Sequence, residues 1–217
     1  FKKFQNFYNV LTFDVEKDRC NSSLSEIKKK CEIVFVCVPT PMNNDGSCDI
    51  SIVESIMKDL SSVKELIVVN KSTVTPGTTE KLNEIYTNLN IVFNPEFLTE
   101  RNAVNDYDTQ ERIIIGGPRP ATTILKNIFS KVFPNAKVIK TGSKHAEMIK
   151  YFTNCFLATK VAFANEMYQI CDQLNLDYDK VIEYVLYDKR IGKSHFNVPG
   201  PDGDYGFGGH CFPKDLS

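Results

Sequence analysis

The run Gly206-Phe207-Gly208-Gly209-His210-Cys211-Phe212-Pro213-Lys214-Asp215, near the end of a 217-residue chain, puts a thiol directly after a glycine-rich stretch. Glycines at 206, 208 and 209 let the backbone approach a ligand closely and adopt positive φ. A thiol in that setting is expected to be accessible, unlike Cys37 or Cys155, which sit inside apolar runs. His210, Lys214 and a helix starting near Pro213 would each favour the thiolate, the form that attacks a carbonyl carbon. The competing reading is a flexible glycine loop that merely contains a cysteine. Lys150 and Asn154 are four apart and share a face of a helical stretch, although Lys150 by itself reads as a solvated helix lysine. Glu96 and Glu100 follow Asn94-Pro95, a place where acids are common in the first turn of a helix. His145, His195 and His210 form no HxxxH pair and no cysteines are spaced CxxC, so no metal is expected.

These groups must be carried by regular elements. Val10-Leu11-Thr12-Phe13, Ile33 to Val38, Leu66 to Val69, Ile91-Val92-Phe93 and Ile113-Ile114-Ile115 are short continuous apolar runs, as expected of strands covered on both faces. Helical patterns lie between them. One has Asp49 as cap and Ile52, Val53, Ile56 and Leu60 on one face; others run from about Thr78 to Asn88 and from Ala121 to Val132. Such alternation predicts an α/β fold with a doubly wound, mostly parallel sheet, whose ligands bind at the carboxyl ends of the strands. The polar tails Pro39-Thr40-Pro41, Lys71-Ser72-Thr73 and Asn94-Pro95-Glu96 then share one edge. From Lys144 to Leu174 no proline or glycine interrupts a helical pattern. A helix of that length is about 45 Å long, which crosses a domain boundary or builds a dimer interface. A shorter helix capped by Asp177 or Asp179 follows, and the chain from Asp188 onward is rich in glycine and proline.

Composition narrows the class. The chain is 42% hydrophobic and 24% charged with net charge -1, which excludes a disordered chain and gives no electrostatic reason for a nucleic-acid partner. No apolar run reaches the roughly 18–20 residues of a membrane helix. No secretory signal is visible in residues 1–8. The seven cysteines are an odd number without a disulfide-framework pattern, which predicts mostly buried free thiols and a cytoplasmic setting.

The Cys211 segment resembles the catalytic cysteine segment of the UDP-glucose/GDP-mannose dehydrogenase family. Val38-Pro39-Thr40-Pro41, Lys71-Ser72-Thr73-Val74, Asn94-Pro95-Glu96-Phe97-Leu98-Thr99-Glu100 and Lys150-Tyr151-Phe152-Thr153-Asn154 look like that family's other motifs, in its order. The resemblance runs from about Asn9 to Ser217. It implies a Rossmann-like NAD-binding domain over 1–141, followed by a helical central domain over 142–217 that carries the cysteine loop. It also implies a homodimer through helix 144–174. The reaction implied is a two-step NAD-dependent oxidation of the C6 alcohol of a nucleotide sugar, UDP-glucose to UDP-glucuronate, through a thiohemiacetal and a thioester. In that pattern Cys211 is the nucleophile, Lys150 and Asn154 stabilise the oxyanion, Asp215 assists proton movement, Glu96 serves thioester hydrolysis and Thr73 orients water. Asp14 would hold the adenosine ribose hydroxyls of NAD, with a plain turn aspartate as its rival reading. Arg19 would lie near the adenine, Val38, Pro39, Thr40, Ser72 and Thr73 would line the dinucleotide, and Glu100 would approach the nicotinamide ribose. The sugar nucleotide would meet Glu96, Phe97, Leu98, Thr99, Glu100, Lys150, Asn154, Arg190, Phe207 and Gly208.

The sequence departs from the family in two places. The first glycine is Gly46, so the family's opening strand and GxGxxG loop are not here, and Phe1 to Tyr8 looks like the end of the helix that should follow them. The chain also stops just past Asp215. Both features lead to the expectation of an internal part of a longer protein that does not turn over UDP-glucose by itself. Another nucleotide sugar, GDP-mannose or a UDP-N-acetylhexosamine, is the alternative substrate. A non-catalytic dimerisation module is the alternative outside enzymology. A β-hydroxyacid dehydrogenase would share the long helix but would not need the Gly-Phe-Gly-Gly-His-Cys segment.

Overall fold

The computed structural model describes residues 2–99, 101–209 and 212–217. The chain divides into two compact units, Phe1–Lys150 and Tyr151–Ser217. In the first unit the elements are α1 (Lys2–Gln5), α2 (Leu24–Lys30), β1 (Ile33–Val36), α3 (Ser51–Leu60), β2 (Leu66–Asn70), α4 (Thr78–Ile85), β3 (Leu89–Phe93), α5 (Ala103–Asp108), β4 (Arg112–Gly116), α6 (Ala121–Val132) and β5 (Lys137–Thr141). The helix α7, Ser143–Gln173, begins in this unit and continues into the second.

The strands form one sheet in the order β1-β2-β3-β4-β5, parallel except where β3 meets β4 through the single antiparallel pair Phe93 and Gly116. Every residue of β2 is buried, which explains why its apolar run is continuous: Val68 packs with Val53, Met57 and Leu60 of α3, whereas Ile67 and Val69 pack with Leu125 and Phe129 of α6 on the other face. The helix starts follow side-chain chemistry. Ser23 and Glu26 form a reciprocal capping box at α2. Asp49 accepts the Ser51 N–H at 2.8 Å, one residue ahead of the α3 cap.

Several expectations need correction. Val10 to Phe13 is not a strand: Thr12 makes its hydrogen bonds locally, its carbonyl accepting from the N–H groups of Asn21 and Ser22 and its N–H donating to Asn21 Oδ1. The α4 pattern stops at Ile85 rather than Asn88. β5, α2 and α5 were not expected. β5 has only Val138 and Ile139 as apolar residues, set between Lys137 and Lys140, and has no fully buried position, so it lacks the signature that marks β2 to β4. The described thiols are not mostly buried: Cys171 is, Cys20, Cys31, Cys48 and Cys155 are half-buried, and Cys37 is exposed because β1 ends at Val36 and the chain then leaves the sheet.

In the second unit the remainder of α7 packs with α8 (Tyr178–Val185) and with the loop before α9 (Phe212–Leu216). Ala164, Cys171, Tyr178, Phe196 and Val198 form its core. Asp177 caps α8 by accepting the N–H groups of Asp179 and Lys180.

Gly116 sets how closely α7 approaches the sheet. A Cβ there would stand 2.5 Å from the Ala146 Cβ and 2.9 Å from the Gly142 carbonyl oxygen. Gly116→Ala is therefore expected to destabilise the protein by about 1–3 kcal/mol, the range of core overpacking, read as a lower urea midpoint with an unchanged slope.

Candidate active site

The carboxyl ends of β1, β2 and β3 stand level, because Val36 pairs with Asn70 and Asn70 with Phe93. The segments leaving them are stitched together. Ser72 donates its hydroxyl to the Val38 carbonyl at 2.7 Å and accepts the Val38 N–H at 2.9 Å. Asn94 donates to the Ile114 carbonyl at 2.7 Å and receives the Lys71 ammonium on its Oδ1 at 3.2 Å. The same ammonium lies 3.8 Å from the Glu96 carboxylate. Burial pulls the Lys71 amine below the ordinary lysine range, opposed by Glu96 and Cys37. Tyr107, which packs on Phe133, has its phenol pushed up to about 12 by burial, with the nearby Cys37, Asp108 and Glu96 adding to the shift.

Lys150 is not a solvated lysine. It is buried, donates to the Glu96 carbonyl at 2.7 Å and lies 5.6 Å over the Phe97 ring. What brings it there is Glu147, three residues earlier on α7. The Glu147 side chain is fully buried and accepts the Gly77 N–H at 2.6 Å, the Thr79 N–H at 2.9 Å and the Thr79 hydroxyl at 2.6 Å. Those amides open α4, whose cap Gly77 has φ of 101°, a left-handed conformation that suits glycine. Lys144 pairs with Glu80 at 2.7 Å beside them. The first turns of α7 are thereby fastened to the helix that follows the Lys71-Ser72-Thr73 segment.

Glu96 itself is exposed, Phe97 and Leu98 are half-buried, and Thr99 is exposed and donates both its N–H and its hydroxyl to Asp106. No helix starts after Pro95; α5 begins at Ala103, so Glu96 is not a first-turn acid. Thr40 and Ser72 are buried, Val38 and Thr73 half-buried, and Pro39 exposed, all on this edge. Asp14 lies in an irregular segment whose backbone is held by Cys20: the Asp14 N–H donates to the sulfur and the thiol donates to the Asp14 carbonyl, each at 3.1 Å. One Asp14 carboxylate oxygen accepts the Glu16 N–H at 3.0 Å. Arg19 is exposed and pairs with Glu16 at 2.8 Å.

In the second unit Asp215 is the centre. Its side chain is 1% exposed, and its two carboxylate oxygens accept Asn154 Nδ2 at 2.6 Å and the Lys214 ammonium at 2.5 Å. The Cys155 thiol donates to its carbonyl at 3.5 Å. Gly206 and Gly209 take φ of 80° and 76°, whereas Gly208 does not take the positive φ open to it, and the Gly206 N–H is held by Asn165 Oδ1 at 2.9 Å. Phe207 and Gly208 are exposed, with the Phe207 ring 6.3 Å from that of Phe212. Arg190 is exposed and forks onto Asp188, with Nε 2.9 Å from Oδ1. Cys211 and Glu100 lie outside the described residues.

Residues 9–136 match the NAD binding domain of the UDP-glucose/GDP-mannose dehydrogenase family, and residues 144–217 match that family's central domain. The chain belongs to this family. It is 39% identical over 217 residues to a UDP-glucose 6-dehydrogenase of Rickettsia bellii (strain RML369-C), covering 96% of this chain and 49% of that protein. It is 38% identical over 209 residues to a UDP-glucose 6-dehydrogenase of Pseudomonas aeruginosa, covering 90% and 45%. A UDP-glucose dehydrogenase from the hyperthermophilic archaeon Pyrobaculum islandicum superposes with a TM-score of 0.79 at 34% identity, over 93% of this chain and 48% of that one. The chain spans about half the length of the curated relatives it matches.

The residues present fit NAD, the cofactor for which the family's first domain is named. The free oxygen of the Asp14 carboxylate has no hydrogen-bond partner among the described residues, and the strand-end segments that would line a dinucleotide are rigidly tied to one another. Lys71, Lys214 and Asp215 are named from the sequence, but three interactions are not: the ties of Lys71, the Lys214–Asp215 pair and the burial of Glu147. Lys71 closes an apolar run on the ligand edge, which was a usable signal. The Lys214–Asp215 pair had only adjacency. Glu147 had none, because one acid in an amphipathic helix reads as solvent-facing.

Glu147→Ala would leave three donors unpaired, two on buried Thr79 and one on half-buried Gly77, at about 1–3 kcal/mol each. The expected loss is at least about 3 kcal/mol of unfolding free energy, with Glu147→Gln, which keeps one acceptor oxygen, losing less in the same urea titration.

Proposed function

We propose that this protein is a nucleotide-sugar dehydrogenase that oxidises the C6 alcohol of UDP-glucose to the carboxylate of UDP-glucuronate in two NAD-dependent steps. The observation that carries the reading is Lys150, a buried ammonium delivered to the Glu96 segment at 2.7 Å where sequence alone puts it in water. The relatives named UDP-glucose 6-dehydrogenase, at 34–39% identity, favour UDP-glucose over GDP-mannose and UDP-N-acetylhexosamines.

NAD, when bound, takes up a hydride in each oxidation. Residues 1–141 form the NAD-binding domain in this reading, and 142–217 the central domain. Asp14 holds the adenosine ribose, Arg19 lies toward the adenine, Val38, Pro39, Thr40, Ser72 and Thr73 line the dinucleotide, and Glu100 reaches the nicotinamide ribose. Phe97, Leu98, Thr99, Arg190, Phe207 and Gly208 meet the sugar nucleotide. The Cys211 thiolate adds to the aldehyde carbon and gives a thiohemiacetal, while Lys150 and Asn154 donate to the oxygen that bears the negative charge. The second oxidation leaves a thioester on Cys211. Water oriented by Thr73 then attacks the thioester carbonyl, Glu96 takes the water proton, the carbon–sulfur bond breaks and Cys211 leaves as thiolate. Asp215, held between Asn154 and Lys214, passes protons through water.

The same reading makes the protein a cytoplasmic homodimer. Six free cysteines among the described residues suit a reducing compartment. Phe152, Phe156, Phe163 and Ile170 recur on α7 at spacings of four and seven, which puts them on one helix face, and each is exposed. A second copy of the same stripe is the partner of matching length and chemistry.

Two measurements on the full-length protein test this. Cys211→Ser is expected to abolish glucuronate formation from UDP-glucose and NAD, and acid formation at the wild-type rate would end the covalent mechanism. Phe156→Glu combined with Phe163→Glu is expected to convert the dimer to monomers by light scattering; an unchanged dimer mass would remove α7 as the interface.

A further inference from the structure

Lys71 takes part in none of the steps above, yet it is a largely enclosed cation on the strand-end edge, beside the buried Lys150. Its side chain is 15% exposed, and its ammonium is anchored to Asn94 twice, at 3.2 Å to Oδ1 and 3.4 Å to the carbonyl. Asn94 is buried and fixed in turn by its donation to Ile114 in β4. The free end of this relay is the Glu96 carboxylate at 3.8 Å, which has Lys71 as its only ion-pair partner among the described residues. Lys150 meets the same residue at its backbone carbonyl, and Cys37 and Tyr107 are the other titratable groups facing it. An exposed carboxylate on a helix-free loop is thus held by charge from below and by backbone from the side.

We propose that Lys71 is the positioning residue of the deacylation step: its ammonium aims the Glu96 carboxylate at the water that cleaves the Cys211 thioester. The inference rests on the reading of Glu96 and Cys211 given above. In the step itself the water oxygen bonds to the thioester carbon, its proton goes to Glu96, and the carbon–sulfur electron pair leaves with Cys211. Lys71 exchanges neither proton nor electrons. Its loss therefore slows deacylation without slowing the two oxidations that precede it.

The test uses the full-length protein, UDP-glucose and NAD in a single turnover quenched with acid, with the mass of the Cys211 peptide as readout. Lys71→Met and Lys71→Gln are expected to form the acyl adduct at close to the wild-type rate and to lose it about tenfold or more slowly, the scale on which a misplaced catalytic group costs rate. Lys71→Arg, which keeps the cation, is expected to recover most of the deacylation rate. Hydroxylamine, a nucleophile that needs no base, is expected to clear the stalled adduct from Lys71→Met. Wild-type decay of the adduct in both neutral variants would overturn the proposal. So would formation and decay slowed by the same factor, or neutral variants that do not fold, each of which reduces Lys71 to a structural role. Wild-type protein that makes no acid from UDP-glucose, or makes it with no adduct on Cys211, would sink the underlying reading along with this one.

Discussion

A carboxylate shut away from water must be matched donor for donor, and the first unit is organised around one such match. Glu147 finds its partners only at the amino end of α4, where unpaired backbone N–H groups are available by the geometry of helix starts. The contact fixes the rotation of α7 about its own axis and its height above the sheet. Once those two are set, the position of Lys150 one turn further on is no longer free. The missing side chain at Gly116 serves the same end, since it lets α7 descend onto β4. One buried interaction and one absent methyl group together deliver an ammonium to the carbonyl of Glu96.

The edge that receives it is built by parallel pairing. Parallel strands of equal register end together, so the residues that follow them cluster without any long-range design of the loops. What the protein adds is a set of short polar ties: Ser72 to Val38, Asn94 to Ile114, Lys71 to Asn94. These convert three loop starts into a rigid rim. The cations there are desolvated, which strengthens their fields at nearby anions and makes their placement costly to change. In the second unit the logic is similar on a smaller scale. Asp215 is buried and both of its oxygens are occupied, so Asn154 is oriented by a group that is itself immobile.

Where the fold followed from residue patterns, the pattern matched burial in most positions, with Ile52 of α3 and Cys37 after β1 as exposed exceptions. Ala121 to Val132 is a helix at the bounds its periodicity implies, and the unbroken stretch before Leu174 is a single long helix. β2, β3 and β4 carry continuous apolar runs because helices cover both faces. β5 failed to announce itself because an edge strand needs only half of its residues to be apolar. Val10 to Phe13 erred in the other direction: β-branched and aromatic residues favour a strand, but a strand forms only when a neighbour completes the ladder, and Thr12 finds Asn21 and Ser22 instead.

The chemistry divides along the same line. Residue type and order were enough to name a thiol after glycines, a lysine and asparagine one turn apart, a proline-bound glutamate and the family that joins them, because those are properties of local spacing. Whether Lys150 is wet or dry, whether Glu96 has a cation beneath it, and which acid in α7 is buried are not properties of spacing. They depend on which helix start happens to lie across from which side chain, and that is settled only when the sheet and its covering helices close over a common core.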